Sequence, residues 1–417
     1  MRIVADLHIH SRHSRATSRE MEVETLARWA RWKGVNLLGK GEFPQTTYFA
    51  ELRAKLTPQG NGLYSLKRGD SDVSFMLTVE VANVYSQGGR QRRIHTLIFA
   101  PSLEVAARIN GCLGRLGKLA SDGRPMFGCS ARDLAKMVLD LSPECALVPA
   151  HAWTPWYSVF GANSGFDSLE ECYGEAAGAI FAIETGLSSD PAMNWRWSAL
   201  DRIALISNSD AHSPSRIARE ANVFETEPGY QAVLDAIRTK DPSRFLFTIE
   251  FFPEEGKYHY DGHRECKVLW APAETRRHGG RCPVCGRPVT VGVMHRVESL
   301  SDRSVGYAPP RAIPAKHLVP LAEIIGEALE IGAESAGVGA EWRKLVAAGG
   351  SELAVLMDLP EADLARFTPP KILEGIRRVR AGQLSITPGY DGVYGKVSLF
   401  GAASTTPAES PASQLAL

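Results

Sequence analysis

The chain has 417 residues, 44% hydrophobic and 23% charged, the balance of a folded globular protein with more than one core. Lysine plus arginine equals aspartate plus glutamate at 47 each, so global charge neither favours nor excludes a polyanionic partner, and any anion-binding surface has to be a local patch. No apolar run approaches the roughly 18 residues of a membrane span, and the first residues run directly into a strand pattern rather than a secretory leader, so a cytoplasmic location is expected.

From residue 1 to about 225, short apolar runs alternate with helical patterns, the signature of β/α units and an α/β fold. Residues 2–10 read as a strand. Ser18 is the expected N-cap of a helix with Val23, Leu26, Ala27 and Ala30 on one face and Gly34 at its end. Further strands are expected over 35–39, 75–80, 93–99, 146–151, 179–184 and 203–207, and Ser130 is placed to cap a helix over 131–139. After Asp241 the alternation stops, and Gly, Pro, His and Cys rise until about Gly306. Residues 314–380 are expected to be largely helical, with Leu318, Leu321, Ala322, Ile325 and Leu329 on one face, a second segment over 353–367 and a basic helix over 371–380. A turn-rich loop follows at 387–395, and 401–417 has the composition of a disordered tail. The expected division is 1–250, 251–308, 309–400 and 401–417.

Seven side chains with metal-binding chemistry fall near the ends of these expected strands. They are His8 and His10 in Asp6-Leu-His8-Ile-His10-Ser11, the isolated Glu80, His95 and His151, and Asp210 and His212 in Ser209-Asp210-Ala-His212. Five of the 11 His belong to this set. Side chains two apart on a strand share a face, so Asp6, His8 and His10 are expected to look inward together, with Leu7 and Ile9 in the outer layer. A parallel barrel of β/α units would gather such strand ends in one mouth. Imidazole with carboxylate suits zinc, manganese or iron, and a paired site can clamp both the attacking and the leaving oxygen of a phosphoester.

The seven cysteines divide in two. Cys112, Cys129, Cys145 and Cys172 are scattered and read as small buried hydrophobes. Cys266, Cys282 and Cys285 cluster, and Cys282-Pro-Val-Cys285-Gly aims two thiolates at one point, the pattern of a structural zinc knuckle. Cys266 is the expected third ligand. His263 is the best fourth by spacing, with His259, His278 and His295 as alternatives. The basic residues Arg276, Arg277, Arg281 and Arg296 around this knuckle, and Lys371, Arg377 and Arg378 on the late helix, are candidate phosphate contacts. In Trp153-Thr-Pro-Trp156-Tyr157, Trp156 is a candidate for stacking on a base.

The opening Asp6-Leu-His8-Ile-His10-Ser, the strand-end Glu80, the lone His95 and His151 and the Asp210-Ala-His212 segment resemble the PHP (polymerase and histidinol phosphatase) superfamily. The resemblance implies a distorted seven-stranded β/α barrel holding two or three divalent metals, zinc, manganese or magnesium, with Glu80, His151, Asp210 and His212 in catalytic roles. One motif departs: Gly39-Lys-Gly-Glu42-Phe-Pro-Gln45 stands where relatives carry Asp, often with a nearby His. Glu42 is retained as a candidate ligand with a longer reach, Gln45 is a poor one, and His13 is not counted.

The barrel motifs followed by His263-Arg-Glu-Cys266, Cys282-Pro-Val-Cys285, His295-Arg-Val-Glu298 and Pro388-Gly-Tyr-Asp-Gly392 are similar to the endonuclease Q family across nearly the whole chain. That resemblance implies a metal-dependent DNA repair endonuclease that nicks 5′ to deaminated bases (uracil, hypoxanthine, xanthine) or abasic sites in double- or single-stranded DNA, with one structural zinc in the Cys/His module and a helical DNA-binding region behind it. Two other function classes fit parts of the sequence: a phosphatase on a small phosphomonoester, and a catalytically degenerate DNA-binding protein.

Overall fold

The computed structural model describes residues 1–69 and 72–401; the expected tail beyond Gly401 lies outside the described residues. The Arg2–Asp6 strand lies within the main sheet, with every residue after Arg2 buried. It pairs in parallel with Leu37–Lys40 and antiparallel with Ala221–Glu225. Leu37–Lys40 runs parallel to Ser74–Gln87, which turns back antiparallel along Arg90–Ala100, and that strand is in turn antiparallel to Ala146–Pro149. On the other side Ala221–Glu225 is antiparallel to Phe245–Glu250, which takes Ala315–His317 in parallel. Ala182–Glu184 and Ala204–Ile206 form a separate parallel pair.

The α/β class therefore holds, but the sheet is mixed, not the parallel one expected. The turn at Gly88-Gly89 is the main cause. Both glycines hold positive φ, 61° and 70°, the geometry of a two-residue primed hairpin turn. A two-residue link can only join antiparallel strands, so the 75–80 and 93–99 runs form one long hairpin rather than two β/α units.

The sheet has an apolar core on each face. Ile3, Ala5, Leu7, Leu37, Met76, Leu97, Phe99, Val148, Ala182, Ile206 and Phe224 meet in one, so these strands share an interior. Val4 and Ile9 lie in the other, with Val23, Leu26, Ala27 and Ala30 of the Val23–Lys33 helix. Leu7 and Ile9 thus part company, contrary to the strand-parity expectation, because the strand stops at Asp6 and its alternation does not continue. Ser18 does not cap the Val23–Lys33 helix either. Its backbone N–H donates to the His212 carbonyl at 2.8 Å, and the helix begins after Glu22 with no side-chain cap. Ser130 does cap Ala131–Leu141, accepting from the Asp133 N–H at 3.0 Å.

The late region is helical as expected, in pieces: Leu321–Leu329, Ala336–Gly349, a π turn at Ala354–Asp358, a short Glu361–Leu364 helix and Pro370–Arg380. Leu318 precedes the first of these rather than sharing its face. One buried carboxylate locks the region to the rest. Glu352 accepts from Lys33 Nζ at 2.7 Å, from the Trp342 indole N–H at 2.7 Å and from the Leu321 N–H at 3.2 Å. Trp29 packs on Trp342 with ring centroids 5.4 Å apart. Removing one partner of such a pair leaves the other charge buried alone, which costs roughly 3–5 kcal/mol. Glu352→Ala is expected to lose stability of that order in chemical denaturation; a loss within about 1 kcal/mol of zero would show that Lys33 finds solvent instead.

A second buried group makes stability depend on pH. Burial pushes Glu250 up from 4.5 to about 8, and the Thr185 hydroxyl, 3.1 Å from its carboxylate, offsets this only in part. Burial, reinforced by Glu250, also raises Glu220. A carboxyl whose folded pKa is raised contributes stability below its unfolded pKa and loses it as pH rises through the folded value. Thermal stability is therefore expected to fall between about pH 5 and 8, by of order 1 kcal/mol per unit, with Glu250→Gln flattening the slope. A stability that rises across that window in the wild type would contradict this.

Candidate metal centre

Glu80 lies within the Ser74–Gln87 strand, fully buried, and its two oxygens face different groups. Oε1 is 2.5 Å from His95 Nδ1 and 3.0 Å from His151 Nε2. Oε2 is 3.0 Å from the Arg124 guanidinium, 3.5 Å from His10 Nε2 and 3.8 Å from His8 Nε2. Asp210 closes the second group, its Oδ1 lying 2.8 Å from His10 Nε2 and 3.6 Å from His8 Nε2. The ligand atoms of His8, His10 and Asp210 lie within 4.8 Å of one another, as do those of Glu80, His95 and His151. Residues up to 202 positions apart in sequence thus form two adjoining donor groups with Glu80 between them.

The strands bring these side chains together by different routes. His8 and His10 follow the Arg2–Asp6 strand, His151 follows Ala146–Pro149, and Asp210 and His212 follow Ala204–Ile206. His95 arrives from the other direction, on an antiparallel strand opposite Ala82, so the C-terminal-end rule does not describe it. Backbone strain accompanies the placement. Glu42, His151 and Asp210 hold φ of 73°, 30° and 49°, where a side chain costs of order 1–3 kcal/mol and persists only when its surroundings fix it. Gly186 makes room for His151: a Cβ there would stand 2.6 Å from the His151 Cβ.

Behind the donors stands a layer of carboxylates. Glu184, fully buried, lies 3.0 Å from His8 Nδ1 and accepts from the His151 N–H at 2.8 Å and the Asn208 amide at 2.9 Å. Sequence reasoning assigned it no role, yet it ends its strand as Glu80 ends the expected 75–80 run, and that parallel was a usable signal. Glu42 has a similar place. It is 2.8 Å from His10 Nδ1, accepts from the Ser11 and Ser14 hydroxyls, and belongs to neither donor group. A carboxylate on the far nitrogen of a ligating His fixes its tautomer and orientation. Gln45 has another task, capping the Thr46–Lys55 helix by accepting from the Tyr48 N–H at 2.6 Å. Asp6 turns away from the donors and accepts from the N–H groups of Ser209 and Ala218 at 3.1 and 3.0 Å, which anchors both sides of the Asp210 turn.

The electrostatics suit cations. Burial opposes ionisation of Asp210, but His8 and His10 overcome it and hold the carboxyl well below its ordinary range. Burial pushes His95 down to about 4, which leaves a neutral imidazole ready to ligate. His8 Nε2 is buried and makes no hydrogen bond among the described residues. It stands between two carboxylates at distances too long for hydrogen bonding. An orphaned imidazole nitrogen facing carboxylates fits a shared divalent metal, and the imidazole and carboxylate donors are those such metals take. His212 sits at the rim, its ring 4.3 Å from that of His10 and its Nδ1 2.8 Å from the Asp210 carbonyl.

The second cluster contains the ligands expected from spacing. His263, Cys266, Cys282 and Cys285 have their ligand atoms within 4.8 Å of one another. The three alternative histidines lie elsewhere: His259 is buried and stacks on Tyr260, His278 lies on Trp270 at 4.4 Å, and His295 pairs with Asp261 at 2.6 Å. The basic candidates are less uniform. Arg276 and Arg281 are exposed, the first paired with Glu298 at 2.8 Å, and Arg277 is exposed beside it. Lys371 pairs with Glu330 at 2.8 Å, and Arg377 and Arg378 share Glu374. Arg296 points inward, donating to the Phe160 and Phe166 carbonyls at 2.9 Å and tying the Val293–Leu300 helix to the loop that follows Trp156. Trp156 is partly exposed and meets Tyr258 edge-on at 5.6 Å.

Comparison with known proteins agrees along the whole chain. Residues 320–383 match the MJ0043 C-terminal domain family. The MJ0043 protein of Methanocaldococcus jannaschii is 31% identical over 256 residues, which is 60% of this chain and 31% of that longer protein. YqxK of Bacillus subtilis is 29% identical over 413 residues, 95% of this chain and 99% of that one. Among solved structures, the lesion-specific endonuclease PfuEndoQ of Pyrococcus furiosus superposes with a TM-score of 0.85 at 32% identity, covering 95% of both chains. An endonuclease Q complex with a 27-mer duplex bearing an abasic lesion at the active site gives 0.84 at 32% identity, over 95% of this chain and 96% of that one. With that identity over nearly the full length of both molecules, the chain belongs to the endonuclease Q family.

Proposed function

We propose that this protein is a metal-dependent DNA repair endonuclease that nicks the phosphodiester 5′ to deaminated bases (uracil, hypoxanthine or xanthine) and to abasic sites. The observation that carries this reading is the pair of donor groups flanking Glu80, set in a chain that matches an abasic-lesion complex of its family over 95% of its length.

His8, His10 and Asp210 would hold one divalent metal and Glu80, His95 and His151 another, with Glu80 shared between them. Metals there supply Lewis acidity toward water and toward the phosphodiester oxygens. Glu184 and Glu42 orient His8 and His10 from behind. Arg124, beside the Glu80 carboxylate and partly exposed, meets the charge of the scissile phosphate. His212, at the rim, is placed to hand a proton to the departing 3′-oxygen. The Cys/His cluster holds a structural zinc, and Arg276, Arg277, Arg281, Lys371 and Arg377 contact phosphates away from the cut. Trp156 stacks against the displaced nucleotide, since chemistry at a damaged position begins by taking it out of the stack.

Duplexes carrying uracil, hypoxanthine, xanthine or an abasic site are expected to be nicked on the 5′ side of the lesion with manganese or magnesium, and not in chelator. Turnover of a chromogenic phosphomonoester with no nicking of any lesion duplex would point to a phosphatase instead. Asp210→Asn is expected to lower nicking by at least about a hundredfold while duplex affinity stays within about threefold, because a lost metal ligand removes stabilisation of the reacting groups and leaves the binding surface intact. Equal loss of binding would assign Asp210 to folding. Cys282→Ser is expected to remove one equivalent of bound zinc and to lower the melting temperature, since such small modules draw their folding energy from the metal; unchanged zinc content would refute the cluster.

A further inference from the structure

One exposed feature has no part in the site described. The Ser385–Thr387 and Lys396–Ser398 strands pair antiparallel, and the chain between them folds into a tighter turn. Tyr390 and Val393 exchange backbone hydrogen bonds at 3.0 and 2.7 Å across Asp391-Gly392, whose φ values are 43° and 86°. This is the two-residue turn that Asp-Gly favours. The turn is bolted down: Asp391 accepts from the Arg264 N–H at 2.8 Å and the Thr290 hydroxyl at 2.6 Å, and the Gly392 N–H donates to the Lys257 carbonyl at 2.8 Å. Yet directly after it Val393 is 40% and Tyr394 73% exposed.

A single exposed apolar residue is ordinary. An exposed pair on a turn whose backbone is hydrogen-bonded in place, with Lys257 between it and the Tyr258 and Trp156 rings beside the candidate metal centre, is not. Lys257 Nζ lies 5.8 Å from the Tyr394 ring and 5.7 Å from the Tyr258 ring. Tyr258 meets Trp156 at 5.6 Å, and the next residue, Tyr157, lies 4.7 Å from the His95 ring. Lys396 and Arg264, both exposed beside the turn, add positive charge suited to a phosphate backbone. Resting on the endonuclease reading, we propose that Tyr394, seated with Val393, is a wedge that enters the DNA duplex at the lesion and fills the gap left by the displaced nucleotide. Apolar side chains inserted at a base step unstack and kink a duplex in this way, and a phenol ring also offers the neighbouring base a stacking face.

The test uses an abasic duplex with 2-aminopurine beside the lesion, whose fluorescence rises on unstacking, with full-length protein in chelator so that no cleavage occurs. Wild type is expected to raise the fluorescence, Tyr394→Ala to lose the rise and Tyr394→Trp to keep it. With metal, Tyr394→Ala is expected to nick the duplex about tenfold more slowly, yet to nick a single strand with the same lesion within about twofold of wild type, since only stacked DNA has to be opened. A full fluorescence rise in Tyr394→Ala, or equal slowing on duplex and single strand, would overturn the wedge, as would a wild type that leaves the reporter stacked. Wild type that unstacks the reporter but nicks neither substrate would support the wedge and overturn the endonuclease reading.

Discussion

The structure turns on one buried carboxylate. Glu80 sits out of reach of water, and a carboxylate in such a place is tolerated only when cations and hydrogen-bond donors surround it. Here they come from across the chain: His95 and His151 on one oxygen, Arg124, His10 and His8 on the other. These partners come from separate segments of the chain, so Glu80 is satisfied only once the strands and the loops between them are assembled. His151, one of these partners, and Asp210, beside His8 and His10, both hold positive φ.

The supporting layer explains how the donors stay aimed. Glu184 fixes His8 and, through its second oxygen, the backbone of His151, so one side chain couples both donor groups. Asp6 holds the turn that carries Asp210. Glu42, which the sequence offered as a ligand with a longer reach, has that extra length taken up by Ser11, Ser14 and the far nitrogen of His10. The late helices join this frame through Lys33, Glu352 and Trp342 rather than through the donors.

The donors themselves were legible because metal chemistry restricts residue types and their order survives folding. His8, His10, Glu80, His95, His151 and Asp210 all fall in the two groups. The His263, Cys266, Cys282 and Cys285 cluster was legible for the same reason. Strand direction was missed at Gly88-Gly89, a hairpin signal that the β/α rhythm on either side outweighed. Arg124 escaped because a lone basic residue has no spacing to betray it, and Glu184 carried only its place at the end of an expected strand, the same signal that marked Glu80. Arg296 looked like one more surface cation beside its neighbours, and only tertiary structure shows it turned inward to two carbonyls. Ser18 looked like a helix cap, but the backbone there is held by the carbonyl of His212, far along the chain.

If Glu80 is the shared wall of two metal positions, crystals grown with manganese should show it directly. Anomalous scattering is expected to give two peaks on either side of the Glu80 carboxylate, one against His8, His10 and Asp210 and the other against His95 and His151. A single peak, or peaks that leave Glu80 outside the coordination of either ion, would contradict the account.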